Sequence, residues 1–138
     1  MRWTFTVPGE PKGKGRPRFS RASGRPYTPK GTEIYEARVA MEFRAEYPDA
    51  VPTEKPIEIW LSANFGIPKS WPKRKRASAP GLPCMKTPDA DNILKAICDG
   101  LNGIAYKDDA QITEVHLMKA YGEVPFVRVT IVEAEEED

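Results

Sequence analysis

A strict alternation of apolar and polar residues over Pro56–Phe65 constrains the fold of this chain more than any other sequence feature. The apolar members of the alternation are Ile57, Ile59, Leu61, Ala63 and Phe65. Because successive side chains of a β-strand point to opposite faces of its sheet, this period predicts a strand with one buried face. Residues 2–7 alternate in the same way and predict another strand.

Two helices and two further strands complete the predicted pattern. A helix is expected from the N-cap residue Thr32 to about residue 47, with an apolar stripe that packs on a sheet. A second helix is expected from Asp89–Asp91 to about Asn102, where Asn-Gly provides a stop. Gln111–Ala120 and Pro125–Val132 are expected to close the fold as an antiparallel hairpin.

The element order is therefore β-α-β-α-β-β. We expect an α+β fold, with one mixed sheet covered by two helices, in a single domain that spans residues 1–138. Segment 8–31 is rich in Pro, Gly, Ser and basic residues and cannot bury enough apolar surface to fold independently, so it predicts a long loop. A second basic loop is expected at 66–88, and the acidic tail 133–138 is expected to be a disordered, solubilising end.

The net charge of +1 conceals two basic segments that contain no acid. The first lies between Pro11 and Thr32, and the second between Ile59 and Pro88. Such a separation of charge predicts a polyanionic partner and favours contact with the DNA backbone over a merely solvated loop. The residues expected to contact DNA are Lys12, Lys14, Arg16, Arg18, Arg21, Arg25, Lys73, Arg74, Lys75 and Arg76.

Neither export nor a membrane span is predicted. No apolar run reaches about 18 residues, and the first residues lack the charged start and apolar stretch of a signal peptide. Cys84 and Cys98 are too few for a disulfide framework and are expected to be reduced thiols. A cytoplasmic location is the resulting expectation.

The second predicted helix carries the residues that point most directly to chemistry. On a helical projection Asp91, Lys95 and Asp99 share the outward strip, opposite an apolar face. Asp89 lies just before the helix, and Asp108-Asp109 begins the next strand, which can return a carboxylate to the helix. Two carboxylates spaced by two residues, with a third from elsewhere, are a common way to hold Mg²⁺ or Mn²⁺, which prefer oxygen ligands.

The same residues also have a purely structural interpretation. Asp89 could be an N-cap, Asp91 an acid favoured by the helix dipole, and Asp91 with Lys95 an ordinary i,i+4 surface pair. The charge context favours chemistry, because hydrolysis of a phosphodiester needs basic residues to hold the backbone and acids to hold a metal that activates water.

A longer motif gives this chain a family resemblance. Residues 86–103 read Lys-x-Pro-Asp-x-Asp-Asn-x-x-Lys-x-x-x-Asp-x-Leu-Asn-Gly, and residues 106–111 read Tyr-x-Asp-Asp-x-Gln. Both resemble the signature of the RusA family of Holliday junction resolvases, which are encoded by bacteria and their prophages. Pro11–Phe19 resembles the phage-type members of that family, and the element order agrees over nearly the whole chain.

The resemblance implies a reaction and a set of residues. It implies that Asp89, Asp91 and Asp109 bind Mg²⁺, with Mn²⁺ as a substitute, that Lys95 is the accompanying essential lysine, and that Asp108 is their neighbour. It also implies a homodimer that cuts two opposed strands of a branched DNA, the four-way junction, symmetrically. The basic insertion 69–86 departs from the family pattern and leaves the cutting preference open.

Several roles stay open from the sequence. Lys95 could orient the scissile phosphate or neutralise the acids, and Asp99 could do no more than pair with Lys95. Phe19 and Tyr27 could stack on an unpaired base or contact the core. The leading hypothesis is a junction resolvase. Its alternatives are a structure-selective nuclease of forks or flaps and a non-catalytic module that binds branched DNA.

Overall fold

A computed structural model describes residues 1–16 and 18–134 of the chain. The strands are β1 Arg2–Pro8, β2 Arg18–Phe19, β3 Pro26–Tyr27, β4 Ile57–Gly66, β5 Ile112–Gly122 and β6 Phe126–Glu133. The helices are α1 Lys30–Glu46, α2 Lys73–Ser78 and α3 Ala90–Leu101, and a 3-10 turn covers Asp109–Gln111. The α+β fold, with one principal mixed sheet, is therefore as predicted.

The principal sheet has the strand order β1-β6-β4-β5, and β2 pairs only with β3 in a separate two-stranded hairpin. The alternation that predicted β4 places Ile57, Ile59 and Leu61 on the buried face of the sheet. Helices α1 and α3 pack against each other, α1 also against β1 and α3 also against β5. The core thus lies between one sheet face and these two helices.

The predicted antiparallel pairing of the last two strands is wrong. Both strands exist, but β4 lies between them: β4 pairs parallel with β5 and antiparallel with β6. Strand β4 is therefore an internal strand of the sheet, paired on both sides. The parallel pair requires a crossover connection, and α3 provides it.

The predicted bounds of α3 are confirmed, whereas the predicted start of α1 is wrong. Helix α1 begins at Lys30, with Pro29 in the N-cap position and no side-chain cap. Thr32 is buried inside the first turn instead, and its hydroxyl accepts a hydrogen bond from the Gly15 amide at 3.0 Å. The threonine therefore fastens the first basic segment to α1.

The second basic segment is more ordered than the loop that the sequence predicted. It contains the short helix α2, and beyond it Pro83 forms a β-bridge with Ala120. The amide of Cys84 donates to the carbonyl of Lys119 at 3.1 Å, so the segment covers the last part of the β5 edge. Helix α2 was missed because its run of Lys and Arg has no apolar periodicity.

The predicted acidic tail begins inside the fold. Glu133 is the last residue of β6 and accepts a hydrogen bond from the Thr53 hydroxyl at 2.9 Å. Residues 135–138 of that tail lie outside the described residues. Within residues 1–16 and 18–134, no helix has the length and apolarity needed to cross a membrane.

Gly100 tests the close packing of α3 on α1. A Cβ at this position would lie 3.0 Å from the Glu36 carbonyl oxygen and 3.0 Å from Val39 Cβ, so α1 would have to move. We expect Gly100→Ala to lower the free energy of unfolding by about 1–3 kcal/mol. Gly31→Ala is the matched control, because that helical glycine has open space around it and should change stability by less than about 1 kcal/mol. Urea unfolding measures both, and equal midpoints for the two variants would contradict the packing described.

Candidate active site

The outward strip of charged residues that the sequence predicted lies along one side of α3. Asp91, Lys95 and Asp99 are spaced one helical turn apart and line a cavity of about 260 Å³. The rest of its wall comes from Asp109 and from four apolar or thiol residues, which are Leu94, Cys98, Ile112 and Val115. The cavity therefore carries three carboxylates and one ammonium above an apolar floor.

Asp109 reaches this cavity because the chain after α3 is tied back to the helix. The buried Tyr106 hydroxyl donates to the carbonyl oxygen of Cys98 at 2.5 Å. On the other side, the Thr53 amide donates to Ala105 and the Lys107 amide donates to Thr53. These bonds fix the turn between α3 and β5 and set Asp109 beside the second half of α3.

Asp108 has a different role from its neighbour. Its carboxylate accepts the Ala110 amide at 3.3 Å, and Gln111 completes the capping box by accepting the Asp108 amide at 2.9 Å. The Gln111 side chain also donates to the carbonyls of Thr53 and Lys55. Asp108 thus shapes the turn that presents Asp109, and it does not line the cavity.

The structure decides between the structural and chemical interpretations of the α3 acids in part. Asp89 occupies the N-cap position of α3, but its side chain makes no cap hydrogen bond. Asp91 lies in the first turn, where the helix dipole favours an acid. Within residues 1–16 and 18–134, Lys95 forms no ion pair with either Asp91 or Asp99. Of the contacts that the structural interpretation expects, the Asp89 cap bond and the Asp91–Lys95 ion pair are therefore both absent among the described residues.

The negative charge of the site contributes to the raised pKa values of two buried groups beside it, the Cys98 thiol and the Tyr106 hydroxyl. Burial raises the pKa of the Cys98 thiol to about 11, hydrogen bonding of the thiol to the Tyr106 side chain lowers it, and Asp99 and Asp109 raise it further. Burial also raises the pKa of the Tyr106 hydroxyl, with added contributions from Cys98, Asp109 and Asp99. Both groups are neutral at physiological pH, so the charge of the cavity resides on its carboxylates and on Lys95.

Not all the predicted metal-binding acids converge. Asp91 and Asp109 share the cavity, whereas Asp89 is not part of its lining. At 1.5 Å per residue, Asp91 and Asp99 are about 12 Å apart along α3. Among the described residues, no three His, Cys, Asp or Glu side chains are close enough together to form a metal site. The oxygen donors nevertheless fit a hard cation such as Mg²⁺ by their chemistry.

Asp99 is the cavity residue that the sequence analysis left out of the core site. It was expected at most to pair with Lys95, but it pairs with Lys14 from the first basic segment at 3.1 Å. Its position four residues after Lys95 on the same helical strip was the available signal.

Lys14 differs from the other basic residues expected to contact DNA. Its half-buried ammonium bridges Glu36 on α1 and Asp99 on α3. Burial alone would lower the pKa of Lys14, but the hydrogen bonds and charges of these two carboxylates outweigh it and hold the pKa above 10.5. Lys14 thus serves as a tie between helices. The other residues of the first segment that are expected to contact DNA, which are Lys12, Arg16, Arg18, Arg21 and Arg25, are exposed.

The second basic segment presents its charges on α2. All four residues Lys73–Arg76 are exposed. Trp71 packs edge-on against Tyr121, with ring centroids 5.0 Å apart, and the Lys75 ammonium lies 3.9 Å from the Trp71 ring centre. Trp71 is therefore an anchor that holds α2 on β5.

An acidic cavity accompanied by exposed basic segments fits the class of nucleases. The sequence model of the family described as Endodeoxyribonuclease RusA matches residues 8–132. The chain is also 34% identical over 132 residues to the uncharacterized protein YqaN of Bacillus subtilis (strain 168), an alignment that covers 92% of this chain and 93% of that protein. This chain therefore belongs to the RusA endodeoxyribonuclease family, and the resemblance found in its motifs is confirmed.

The role of Lys14 can be tested against a neighbouring lysine. We expect Lys14→Met to lower the free energy of unfolding by about 1–2 kcal/mol, because it leaves two partly buried carboxylates without their cation. Lys12→Met removes an exposed lysine of the same segment and should have little effect. The Lys14 pKa is raised by folding, so the stabilisation is complete below pH 10.5 and is lost as the pH rises through the higher folded-state value. Urea unfolding at neutral and strongly alkaline pH measures this. A larger effect of Lys12→Met would contradict the tie.

Proposed function

We propose that this chain is a metal-dependent endonuclease that resolves four-way DNA junctions by paired, symmetric hydrolysis of phosphodiester bonds in DNA recombination and repair. The observation that carries the proposal is the cavity in which Asp91 and Lys95 of α3 meet Asp109, which a separate turn delivers. Membership of an endodeoxyribonuclease family supports the reaction class. A cytoplasmic location in a bacterial host belongs to the same proposal.

The proposal assigns the cation to Asp89, Asp91 and Asp109. Asp91 and Asp109 already face one cavity, and Asp89 lies two residues before Asp91 with a carboxylate that is free of cap bonding. Bound Mg²⁺, or Mn²⁺ in its place, would supply an activated water and stabilise the departing oxygen. These three aspartates would hold the cation, and Asp108 would support Asp109 through the turn that it caps.

Lys95 is proposed to contact the scissile phosphate. It is exposed, it lies between the two acids of the α3 strip, and it has no ion-pair partner among the described residues. An ammonium placed there can orient a phosphate oxygen and offset its charge beside the carboxylates. The exposed residues Lys12, Arg16, Arg18, Arg21 and Arg25 and the α2 residues Lys73–Arg76 would hold the flanking backbone.

Paired cutting requires two sites in one complex. We propose a homodimer, because a two-fold axis places two equal sites on opposed strands of a four-way junction. Light scattering of the free protein and of its junction complex tests the dimer directly.

A second candidate function is a broader structure-selective nuclease that acts on forks or flaps. The observation that favours it is α2, an ordered basic helix inside the insertion that departs from the family pattern. Comparing cleavage of a four-way junction, a fork, a flap and a linear duplex separates the two candidates. Cuts at equivalent positions in two opposed strands of the junction support the resolvase. Equal or faster cutting of forks and flaps supports the alternative.

Asp109 and its neighbour Asp108 make a matched test of the site, because only Asp109 is a proposed metal ligand. We expect Asp91→Asn and Asp109→Asn each to slow junction cleavage by at least about a hundredfold, because each removes a proposed ligand. Junction binding should persist, since the change removes negative charge. Asp108→Asn should retain most of the activity, because asparagine caps a helical turn as well as aspartate does.

Strand-specific cleavage of a labelled junction, in Mg²⁺ and without metal, measures these effects. Asp49→Asn, an exposed aspartate far along the chain from the cavity residues, controls for the loss of one charge. Full activity in Asp91→Asn and Asp109→Asn would remove the site assignment. Binding without cleavage by the unaltered protein in either Mg²⁺ or Mn²⁺ would point to a non-catalytic module.

Lys95 gives a test that separates its two candidate roles. If Lys95 contacts the phosphate, Lys95→Met lowers the maximal cleavage rate by about a hundredfold even at saturating Mg²⁺. If Lys95 only neutralises the acids, the same variant lowers the Mg²⁺ concentration needed for half-maximal cleavage and leaves the maximal rate nearly unchanged. We expect the first result, with partial recovery in Lys95→Arg, as measured by cleavage rates across a Mg²⁺ titration.

A further inference from the structure

The β2–β3 hairpin is a built element that the proposed active site does not use. Its two strands pair antiparallel, and the connecting turn is closed by hydrogen bonds from Ser20 to Arg25 at 2.9 Å and from Gly24 to Ser20 at 2.8 Å. Gly24 has a φ of +67°, a left-handed conformation that glycine adopts without strain. The hairpin is therefore a defined projection.

The hairpin exposes aromatic rings that the core does not cover. Phe19 is 72% exposed and Tyr27 is 48% exposed, and neither belongs to the buried cluster or packs against it. This answers the question that the sequence left open, because a contact with the core would have buried at least one ring. Two exposed rings on one projecting hairpin are candidate contacts for a partner.

The register places the two rings on opposite faces of the hairpin. Arg18 lies opposite Tyr27, and Phe19 lies opposite Pro26. Directly opposed residues share a face, whereas neighbours along a strand alternate. One face therefore carries Phe19 with Pro26, and the other carries Tyr27 with Arg18.

The root of the hairpin is attached beside the proposed active site. The Lys14 amide donates to the carbonyl of Asn92 on α3 at 2.9 Å. Gly13 packs so closely on Pro88 that an added Cβ would lie 2.7 Å from the Pro88 Cβ. Five residues of extended chain span at most about 18 Å, so Phe19 is held within that distance of Lys14.

We propose that the β2–β3 hairpin is a two-faced wedge that enters the branch point of the DNA and stacks Phe19 and Tyr27 on the end base pairs of two different arms. The inference rests on the proposed function and concerns how the substrate is selected. An intact linear duplex has no exposed base-pair faces along its length, whereas an opened branch point has several. Stacking accepts any base, because each base has a π-face.

The charge of the hairpin fits the same partner. Arg18, Arg21 and Arg25 are exposed on it, and no acid occurs between Pro11 and Thr32. The phosphates of diverging arms lie on both sides of a branch point, so arginines beside the rings would neutralise them. A protein partner with an apolar surface would not require this concentration of positive charge.

Equilibrium binding to matched DNAs tests the wedge. The probes are a four-way junction with 2-aminopurine at the branch point, the same junction with 2-aminopurine within one arm, and a linear duplex of the same sequence. EDTA keeps the junction uncut. Phe19→Leu/Tyr27→Leu removes both rings but keeps apolar side chains, Phe19→Trp/Tyr27→Phe keeps rings at both positions, and Val51→Ala alters an exposed apolar residue elsewhere.

We expect the double leucine variant to bind the junction about tenfold or more weakly than the unaltered protein, and to bind the linear duplex within about twofold. The fluorescence change of the branch-point probe should be lost in that variant and kept in the aromatic variant and in Val51→Ala. The probe within the arm should respond equally in all proteins. The hairpin is exposed, so thermal unfolding midpoints should match.

Three results would overturn the wedge. Unchanged junction binding by the double leucine variant would show that the rings do not contact the DNA. An equal loss for junction and duplex would show a general contact with no branch selectivity, and a shift to a smaller oligomer would assign the rings to a contact between copies. Failure of the unaltered protein to prefer the junction over the duplex would instead contradict the proposed function, so the two failures are distinguishable.

Discussion

The hydrogen bond from the buried Tyr106 hydroxyl to the Cys98 carbonyl is the constraint on which the candidate site depends. Helix α3 alone presents a strip of Asp91, Lys95 and Asp99, which many surface helices could resemble. The bond returns the chain to the helix, and the hydrogen bonds with Thr53 hold it there. Asp109 consequently meets the strip from a different element. Two elements that are packed on one core position their carboxylates more rigidly than one helix with a free strand end would.

The same site contains carboxylates and must also accept the negatively charged DNA backbone that the proposed function requires. An anionic cavity repels the phosphate backbone that a nuclease binds, so cations must lie close to the acids without neutralising all of them. Lys14 offsets Asp99 and Glu36, and it ties the first basic segment to α1 and α3. Lys95 remains within the cavity without an ion-pair partner among the described residues. Of the three acids that line the cavity, Asp91 and Asp109 are therefore the two that no described basic side chain offsets by direct pairing.

Local sequence patterns predicted the helices and strands more accurately than they predicted the contacts between these elements. The period of β4 and the apolar face of α3 follow from the side chains of those segments themselves, and both are as expected. Strand pairing depends on which partner buries the most surface, so nothing local in β5 or β6 indicated that β4 would separate them. Thr32 has the chemistry of a cap but bonds to Gly15, a partner distant in sequence. Asp99 was underestimated for the same reason, because its partner Lys14 comes from another segment.

The unpredicted position of β5 matters for the site itself. Ile112 and Val115 of β5 form one wall of the cavity. Had β5 paired with β6, β5 could have been an internal strand with a neighbour on each side. Instead β5 is an edge strand, parallel to β4 and connected to it through α3. Its covering by residues 82–84 reaches only the part near Lys119–Tyr121, and Val115 remains 43% exposed. Because β5 has no second strand beside it at Val115, no described strand covers the outer side of the cavity between α3 and β5.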